Sequence, residues 1–312
     1  MALGLCCARP GSLAEVAGRA SGGACREGGR VGGVGRRGAG PRRVLAQRGA
    51  RGSPVASGVR GLGRATLRTR AFAAGVEGTT LVKVCGVMTK EDAAMVGEKG
   101  ADFIGFIVSG GYKRSIGLEE AREIVSRVKE GGAEPVGIFT RETAEEMVRA
   151  CDEIGLETVQ LHGDTPRESL KDLPARLSVF YVVHSEGGRL ITPLPAELAQ
   201  IDLSVPDPAY WKKPIDWVSA GRRSVDYILV DKKEAGGTGK LDWDSFVVPK
   251  GCSRKGWIMA GGLTPDNVEE AVQRFRPSIV DVSGGVCDSS GLKKDPIKVE
   301  VFVTKAKAAA LK

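Results

Sequence analysis

From Leu81 onward the chain repeats one local pattern, in which a short β-branched apolar run ends at Gly, Asp or Ser and is followed by an amphipathic stretch. This alternation is typical of βα units, whose parallel strands are covered by helices. Eight runs have strand character: 81–85, 103–107, 135–139, 158–161, 179–183, 227–230, 256–259 and 279–282. The pattern therefore predicts an α/β domain with eight parallel strands.

Helix signals separate several of these runs. Thr89 with Asp92 three residues later, and Thr264 directly before Pro265, predict two helix N-termini, and the periodic run 118–128 predicts an amphipathic helix. Eight βα units within residues 75–312 match the roughly 250 residues of a closed (β/α)8 barrel, or TIM barrel. A doubly wound open sheet is the alternative, but the first run lacks the Gly-x-Gly-x-x-Gly that usually follows it there. Residues 184–225 contain five prolines and are predicted to form an enlarged connection after the fifth strand.

Residues 1–74 have a different composition from the rest of the chain. They contain 14 Arg, no Lys, two acids and 17 Gly, and they show no period long enough to build a core. Such an Arg-rich, acid-poor start is typical of an organelle transit peptide read by import machinery. The alternative is an RNA-binding Arg/Gly arm. We expect residues 1–74 to be a disordered transit peptide and residues 75–312 to be the catalytic barrel.

Composition excludes several classes for residues 75–312. The formal net charge of +8 comes from the leader, because the remaining residues carry 36 acidic and 32 basic side chains, so no nucleic-acid partner is predicted. No apolar run reaches the ~18 residues of a membrane span. Four cysteines remain (Cys85, Cys151, Cys252 and Cys287) without a C-x-x-C pair, and only two histidines are present, so we expect neither a metal site nor a disulfide framework.

Polar residues at the carboxyl ends of the predicted strands are the candidates for chemistry, because active sites of such barrels lie at that end. Cys85 ends the first strand, Asp231 follows the sixth, and His162 follows the fourth. A thiolate and a carboxylic acid facing one pocket suit acid–base chemistry, provided that the pKa of the thiol is lowered from its reference of ~8.5. Lys83 and Asp281 are predicted to meet near the thiol, because barrel closure pairs the first strand with the last. The alternatives are a small buried Cys85, a turn-capping Asp231 and an interior His162 imidazole.

Glycine-rich loops follow the last two predicted strands. Gly261 and Gly262 precede the helix predicted at Thr264, and Gly284 and Gly285 follow Ser283. Backbone N–H groups in such loops bind anions, and the loops after strands 7 and 8 are the usual phosphate site of this fold. A third loop, residues 236–240, lacks the Ser/Thr of a nucleotide-binding loop and is interpreted as a lid. The sequence thus predicts a small phosphorylated substrate.

Taken together, these segments resemble the phosphoribosylanthranilate isomerase family of tryptophan biosynthesis, particularly its plant form. The resemblance covers about residues 81–307 and is carried by the order and spacing of short motifs. These are KVCGV (83–87), GADFIGF (100–106), KRSI (113–116), VQLHG (159–163), LVD (229–231), GGTGK (236–240), AGGL (260–263) and VDVS (280–283).

The resemblance implies a cofactor-independent and metal-independent Amadori rearrangement. N-(5-phosphoribosyl)anthranilate would be converted to 1-(o-carboxyphenylamino)-1-deoxyribulose 5-phosphate, with Asp231 as general acid and Cys85 as general base. Arg114 matches the position that binds the anthranilate carboxylate, for which a guanidinium is suited. His162 and the backbone of Gly261, Gly262, Ser283, Gly284 and Gly285 would bind the rest of the substrate. The plant-like character implies a chloroplast location.

The chain departs from the family pattern at a few positions. Gly284 stands where a second Ser is usual, residues 239–243 are one residue short, and residues 109–111 replace a bulkier turn before Arg114. The departures at Gly284 and around Leu241 leave open a non-catalytic ligand-binding barrel. A second alternative is another sugar-phosphate-binding barrel enzyme, which would share the loops after strands 7 and 8 but not the pairing of Cys85 with Asp231.

Overall fold

The computed structural model describes residues 79–186, 189–192, 225–232, 243–244, 246 and 253–310. Nine strands lie in this part of the chain: β1 (Leu81–Val84), β2 (Phe103–Ile107), β3 (Glu134–Phe139), β4 (Thr158–Leu161), β5 (Ser178–Glu186), β6 (Arg189–Leu190), β7 (Tyr227–Lys232), β8 (Gly256–Met259) and β9 (Ile279–Val282). All except β6 are parallel to their neighbours, and β6 pairs antiparallel with the end of β5.

The eight parallel strands form a closed barrel. Neighbours follow the order β4-β3-β2-β1-β9-β8-β7-β5, and β5 pairs back with β4. The first and last strands meet in a register that sets Lys83 beside Asp281. The predicted (β/α)8 barrel is therefore confirmed.

Six α-helices are described: α1 (Lys90–Glu98), α2 (Leu118–Glu130), α3 (Ala144–Ile154), α4 (Asp164–Glu168), α5 (Val268–Phe275) and α6 (Pro296–Ala309). The predicted cap at Thr89 is confirmed, since its hydroxyl accepts from the Asp92 N–H at 3.2 Å. The predicted amphipathic run 118–128 is α2, which buries Ala121, Ile124, Val125 and Val128. Because α2 buries one face, its apolar residues recur with the 3.6-residue helical period, and the sequence therefore predicts this helix.

Apolar side chains pack on both faces of the strands. One cluster fills the barrel interior, where the Phe180 ring contacts Phe103 and Tyr227 at centroid distances of 5.5 and 5.2 Å. These rings belong to β5, β2 and β7, and the Phe103 contact crosses the barrel because β2 and β5 are not neighbours. A larger cluster lies between strands and helices and includes Val82, Val84, Ile104, Val280 and Phe302. Alternate residues of a strand point to opposite faces, so Lys83 and Cys85 share the inner face with Leu81.

Three expectations differ from the structure. Thr264 does not begin a helix, because residues 264–267 form a turn in which Asn267 Oδ1 accepts from the Thr264 N–H at 2.8 Å, and α5 starts at Val268. β1 ends at Val84, although the Cys85 N–H still donates to Val282 O at 2.8 Å. β5 extends to Glu186 and turns back through β6, so the connection predicted from residue 184 begins as strand. The predicted leader (1–74), residues 193–224 and the predicted lid (236–240) lie outside the described residues.

Candidate active site

The predicted site residues follow the carboxyl ends of different strands. Cys85 follows β1, and Arg114 lies in the loop after β2. His162 follows β4, and Asp231 is the second-to-last residue of β7. The two glycine loops follow β8 and β9. Because the strands are parallel in a closed ring, all of these ends lie on one rim. The thiol and the carboxyl group are therefore at the same mouth of the barrel.

Cys85 lies beside a buried ion pair on the inner face of the barrel. Lys83 Nζ is 3.0 Å from Asp281 Oδ2, and the two side chains are 0% and 8% exposed, which confirms the predicted contact. A methyl group at Gly105 would lie 3.2 Å from both Cys85 Sγ and Lys83 Nζ, so glycine on β2 leaves room for both. Burial raises the pKa of the Cys85 thiol above its ordinary value, and Asp281 adds to this, whereas Lys83, Lys294 and Arg114 oppose it. The net direction is opposite to the lowering that acid–base chemistry at neutral pH would require.

A chain of hydrogen bonds connects Arg114 to the backbone of Cys85. Arg114 Nη1 donates to Ser283 Oγ at 2.5 Å, and Ser283 Oγ donates to Cys85 O at 3.0 Å. Gly86 allows this approach, because a side chain there would place its Cβ 2.8 Å from Arg114 Nη1 and its φ is +73°. The loops after β1, β2 and β9 therefore meet at Ser283.

Asp231 is on β7, three strands from β1 around the barrel, and it lies next to a pair of histidines. Its partner in the β5–β7 register is His184, whose ring makes an edge contact with His162 at 5.5 Å. Burial raises the pKa of Asp231 to about 6, and the Lys232 N–H at 2.8 Å only partly opposes this. Burial and the neighbouring His184 lower the pKa of His162 to about 4, so this imidazole is neutral at pH 7. Gln160 Nε2 contacts His162 Nδ1 at 3.3 Å.

Gln160 and Asp281 belong to a polar layer, the set of polar side chains on the inner face of the barrel near its rim. One buried oxygen of each, Gln160 Oε1 and Asp281 Oδ1, has no hydrogen-bond partner in the structure. Unsatisfied buried acceptors are uncommon and often occur at functional sites. Both residues point to the inner face, on β4 and β9. The polar layer thus carries acceptor capacity that the protein itself does not use.

The two glycine loops pack closely against each other. Gly261 and Gly262 have φ of +83° and +72°, values that side chains rarely adopt. Gly285 lies in the 3-10 turn Gly284–Val286, and a Cβ there would be 2.1 Å from Leu263 O. Gly284 is exposed and has open space around it. Backbone N–H groups of both loops consequently lie close together at the rim.

Two residues at this rim, His184 and Lys294, are not predicted from the sequence. The predicted fifth strand ends at residue 183, although the β-branched and aromatic neighbours of His184 are compatible with a longer strand. Lys294 is 1% exposed, and its Nζ donates to Cys85 O at 2.7 Å and Ser283 O at 3.0 Å. No sequence signal distinguished Lys294 from a surface lysine, because it stands in the polar segment Lys293-Lys294-Asp295.

The described part of residues 79–310 contains no candidate metal site. Nowhere in it do three or more His, Cys, Asp or Glu side chains converge in a way that could hold a metal ion. In the same part of the chain, no helix combines the length and the apolar character needed to cross a bilayer.

Comparison with known proteins gives one consistent family. The model of the N-(5′-phosphoribosyl)anthranilate isomerase family matches residues 82–187 and 201–305. The chloroplastic N-(5′-phosphoribosyl)anthranilate isomerase 1 of Arabidopsis thaliana is 37% identical over 225 residues, which cover 72% of this chain and 74% of the relative. Phosphoribosyl anthranilate isomerase from Thermus thermophilus superposes with a TM-score of 0.56 at 25% identity, covering 75% of this chain and all of the other. A phosphoribosyl anthranilate isomerase solved with reduced 1-(o-carboxyphenylamino)-1-deoxyribulose 5-phosphate superposes with a TM-score of 0.52 at 28% identity, covering 73% of this chain and 99% of the other.

Proposed function

The chain belongs to the N-(5′-phosphoribosyl)anthranilate isomerase family of tryptophan biosynthesis, and from this premise we propose that Cys85 is its general base and Asp231 its general acid. The reaction is the Amadori rearrangement of N-(5′-phosphoribosyl)anthranilate to 1-(o-carboxyphenylamino)-1-deoxyribulose 5-phosphate. The observation that carries the proposal is the placement of a thiol and a carboxyl group of raised pKa on one rim, beside two packed glycine loops.

Asp231 is suited to the first step. A carboxylic acid that donates a proton near neutral pH needs a pKa well above the ordinary aspartate value, and burial brings that of Asp231 to about 6. The protonated carboxyl gives its proton to the furanose ring oxygen, the C1′–O bond breaks, and the anthranilate nitrogen supplies the electron pair that forms a Schiff base. The ring-opened intermediate keeps the phosphate at its far end.

Cys85 is suited to the second step. As a thiolate it takes the proton from C2′, and the electron pair left behind forms the C1′–C2′ double bond of an enolamine. Tautomerisation of the enolamine gives the C2′ ketone, so C1′ is reduced and C2′ is oxidised without an external redox partner. Lys83, Lys294 and Arg114 are the positive groups that stabilise the thiolate against its burial.

Substrate binding is assigned to the remaining rim residues. The Arg114 guanidinium holds the anthranilate carboxylate. His162 contributes a polar contact, and because its ring is neutral it does not compete with Arg114 for the carboxylate. The backbone N–H groups of Gly261, Gly262, Ser283, Gly284 and Gly285 hold the phosphate. Since the Ser283 hydroxyl already donates to Cys85 O, these amides are the donors left for phosphate.

Turnover of residues 75–312, followed by the loss of phosphoribosylanthranilate fluorescence, tests the proposal. Cys85→Ser and Asp231→Asn are each expected to lower kcat by about 10²-fold or more, because each removes one proton-transfer group. Thermal denaturation of the variants controls for folding.

A matched control for the thiol is Cys151→Ser, because Cys151 is a buried cysteine of α3 packed in the cluster between strands and helices. This variant should keep kcat. Near-normal turnover of Cys85→Ser or Asp231→Asn would reject the role assigned to that residue.

The leader and the location of the protein are a separate proposal. The Arg-rich, acid-poor composition of residues 1–74 and the similarity to a relative named as chloroplastic support import into the plastid stroma by the import machinery. Imaging a fusion of residues 1–80 to a fluorescent protein tests this, with residues 81–312 fused in the same way as control. Cytosolic or mitochondrial fluorescence of the first fusion would contradict it.

A further inference from the structure

Lys294 is a buried amine that the proposed reaction uses only as one of three cations near the Cys85 thiolate. Its side chain is 1% exposed, and Nζ has three partners: Cys85 O at 2.7 Å, Ser283 O at 3.0 Å and Cys287 Sγ at 3.3 Å. Burial of a charged amine is costly unless it is well hydrogen-bonded. Three convergent acceptors offset part of this cost, and burial lowers the pKa of the Lys294 amine below its ordinary value.

The backbone of Lys294 is held separately from its side chain. Its N–H donates to Asp92 Oδ2 of α1 at 3.1 Å, and the residue forms an isolated bridge with Cys287. Asp92 is 5% exposed, and its N–H donates to the Thr89 cap. The ammonium is therefore delivered to the rim from a segment that is anchored at both α1 and the turn after β9.

The acceptors of Lys294 belong to the two loops that the reaction needs in fixed relation. Cys85 carries the proposed base, and Ser283 begins the proposed phosphate loop. Cys85 O accepts from both Lys294 Nζ and Ser283 Oγ, and Ser283 Oγ also accepts from Arg114. One lysine thus contacts the backbone of both loops, and it lies among the charged groups that face Cys85, namely Lys83, Asp281 and Arg114.

We propose that Lys294 is a positioning residue for the isomerisation: by joining the carbonyls of Cys85 and Ser283, its ammonium fixes the distance between the base and the bound phosphate. The inference rests on the proposed function, because it takes Cys85 as the base. A misplacement of about 1 Å between base and substrate can cost roughly 10²-fold in rate. Loss of the ammonium should affect the base and the phosphate loop together.

The experiment uses Lys294→Met in the full chain, which removes the ammonium but keeps an unbranched side chain. We expect kcat to fall about 10- to 100-fold and KM to rise several-fold. The Ki of inorganic phosphate should rise together with KM. Alkylation of Cys85 by iodoacetamide, measured as the difference from Cys85→Ser, should slow about 3- to 10-fold at pH 8, because a thiolate-stabilising charge is lost.

Lys298→Met is the matched control. Lys298 lies four residues later, on α6, and its Nζ donates to Cys287 O at 2.7 Å without contacting Cys85 or Ser283. It should leave kcat, KM and alkylation unchanged. If Lys294→Met fails to fold, Lys294→Gln, which keeps a donor but removes the charge, is measured instead and is expected to show the same slower alkylation with a smaller loss of kcat.

Unchanged alkylation and phosphate inhibition in the folded Lys294 variant would overturn the inference, even if stability fell. A purely structural role would lower the melting temperature without changing the reactivity of Cys85 or the KM of the folded fraction. Failure of the proposed function is recognised separately. In that case the single variant Cys85→Ser, in which Lys294 is unchanged, would keep its turnover.

Discussion

At the scale of single residues, Asp231 combines a functional advantage with a cost in stability. Its pKa is about 6 in the folded protein, against 3.8 for the ordinary group, so the folded state binds the proton more tightly than the unfolded state. The stability that protonation contributes is complete below pH 3.8 and is lost as the pH rises through about 6. Above that pH the partly buried carboxylate costs at most about 3 kcal/mol.

We therefore expect Asp231→Asn to stabilise the protein while it inactivates it. The free energy of unfolding at pH 7.5, from urea titration, should rise by about 1–3 kcal/mol, since the amide has no charge to desolvate. The gain should shrink as the pH falls towards 4. A lower free energy of unfolding at pH 7.5 would contradict the cost of charge burial assigned to the Asp231 carboxylate.

The proposed acid and base titrate in an unusual order. The pKa of Asp231 is about 6, whereas burial raises the pKa of Cys85, so the productive pair of protonated acid and thiolate is a minor form at neutral pH. The product of the two required fractions is level between the two pKa values and falls on both sides.

We expect kcat/KM to fall below about pH 6, to be level from there through neutrality, and to fall again at alkaline pH. Because the phosphate of the substrate also titrates near pH ~6, the acid limb alone does not assign the groups. The pH dependence of iodoacetamide alkylation, taken as wild type minus Cys85→Ser, assigns the thiol. A midpoint below neutrality would contradict this order.

At the scale of elements, the contact between the two glycine loops makes a sharp distinction between neighbouring glycines. Gly285→Ala would place Cβ 2.1 Å from Leu263 O, whereas Gly284→Ala would project into open space. Because backbone cannot move aside as a side chain can, Gly285→Ala should destabilise by about 1–3 kcal/mol and raise KM. Gly284→Ala should change stability by less than about 0.5 kcal/mol. Equal melting temperatures of the two variants would show that the loops are not packed as described.

The strands were predicted well where both of their faces pack against apolar side chains. The strand over 103–107 agrees with β2, and the runs 158–161, 256–259 and 279–282 agree with β4, β8 and β9, because interior strands are apolar and β-branched. Thr264 failed as a cap because its local turn with Asn267 competes with helix initiation. Lys294 could not be predicted, since one of the acceptors that make its burial tolerable, Cys85 O, lies 209 positions away, and the other two come from the turn after β9.

At the scale of the whole molecule, the ion pair Lys83–Asp281 joins the first strand to the last. Both side chains are buried, so Lys83→Met would leave an unpaired carboxylate and should lower the free energy of unfolding by about 3–5 kcal/mol. The double variant Lys83→Met/Asp281→Leu should recover most of this loss. Arg149→Met, which breaks the exposed pair with Glu145, is the control and should cost less than about 0.5 kcal/mol.

A single variant Lys83→Met as stable as wild type would show that the ion pair does not stabilise the closure of the barrel.

The contact of Cys85 with Ser283 and Lys294 has a consequence for biosynthesis. The hydrogen bonds that join them span 198 and 209 positions of the chain. A ribosome adds roughly 5–20 residues each second, so the Cys85 carbonyl is synthesised on the order of ten seconds or more before these two partners. A nascent chain that stops before β9 contains Lys83 and Arg114 but lacks both Ser283 and Lys294, so the loop that carries the proposed base is left without the two side chains that hold its carbonyl in the finished barrel.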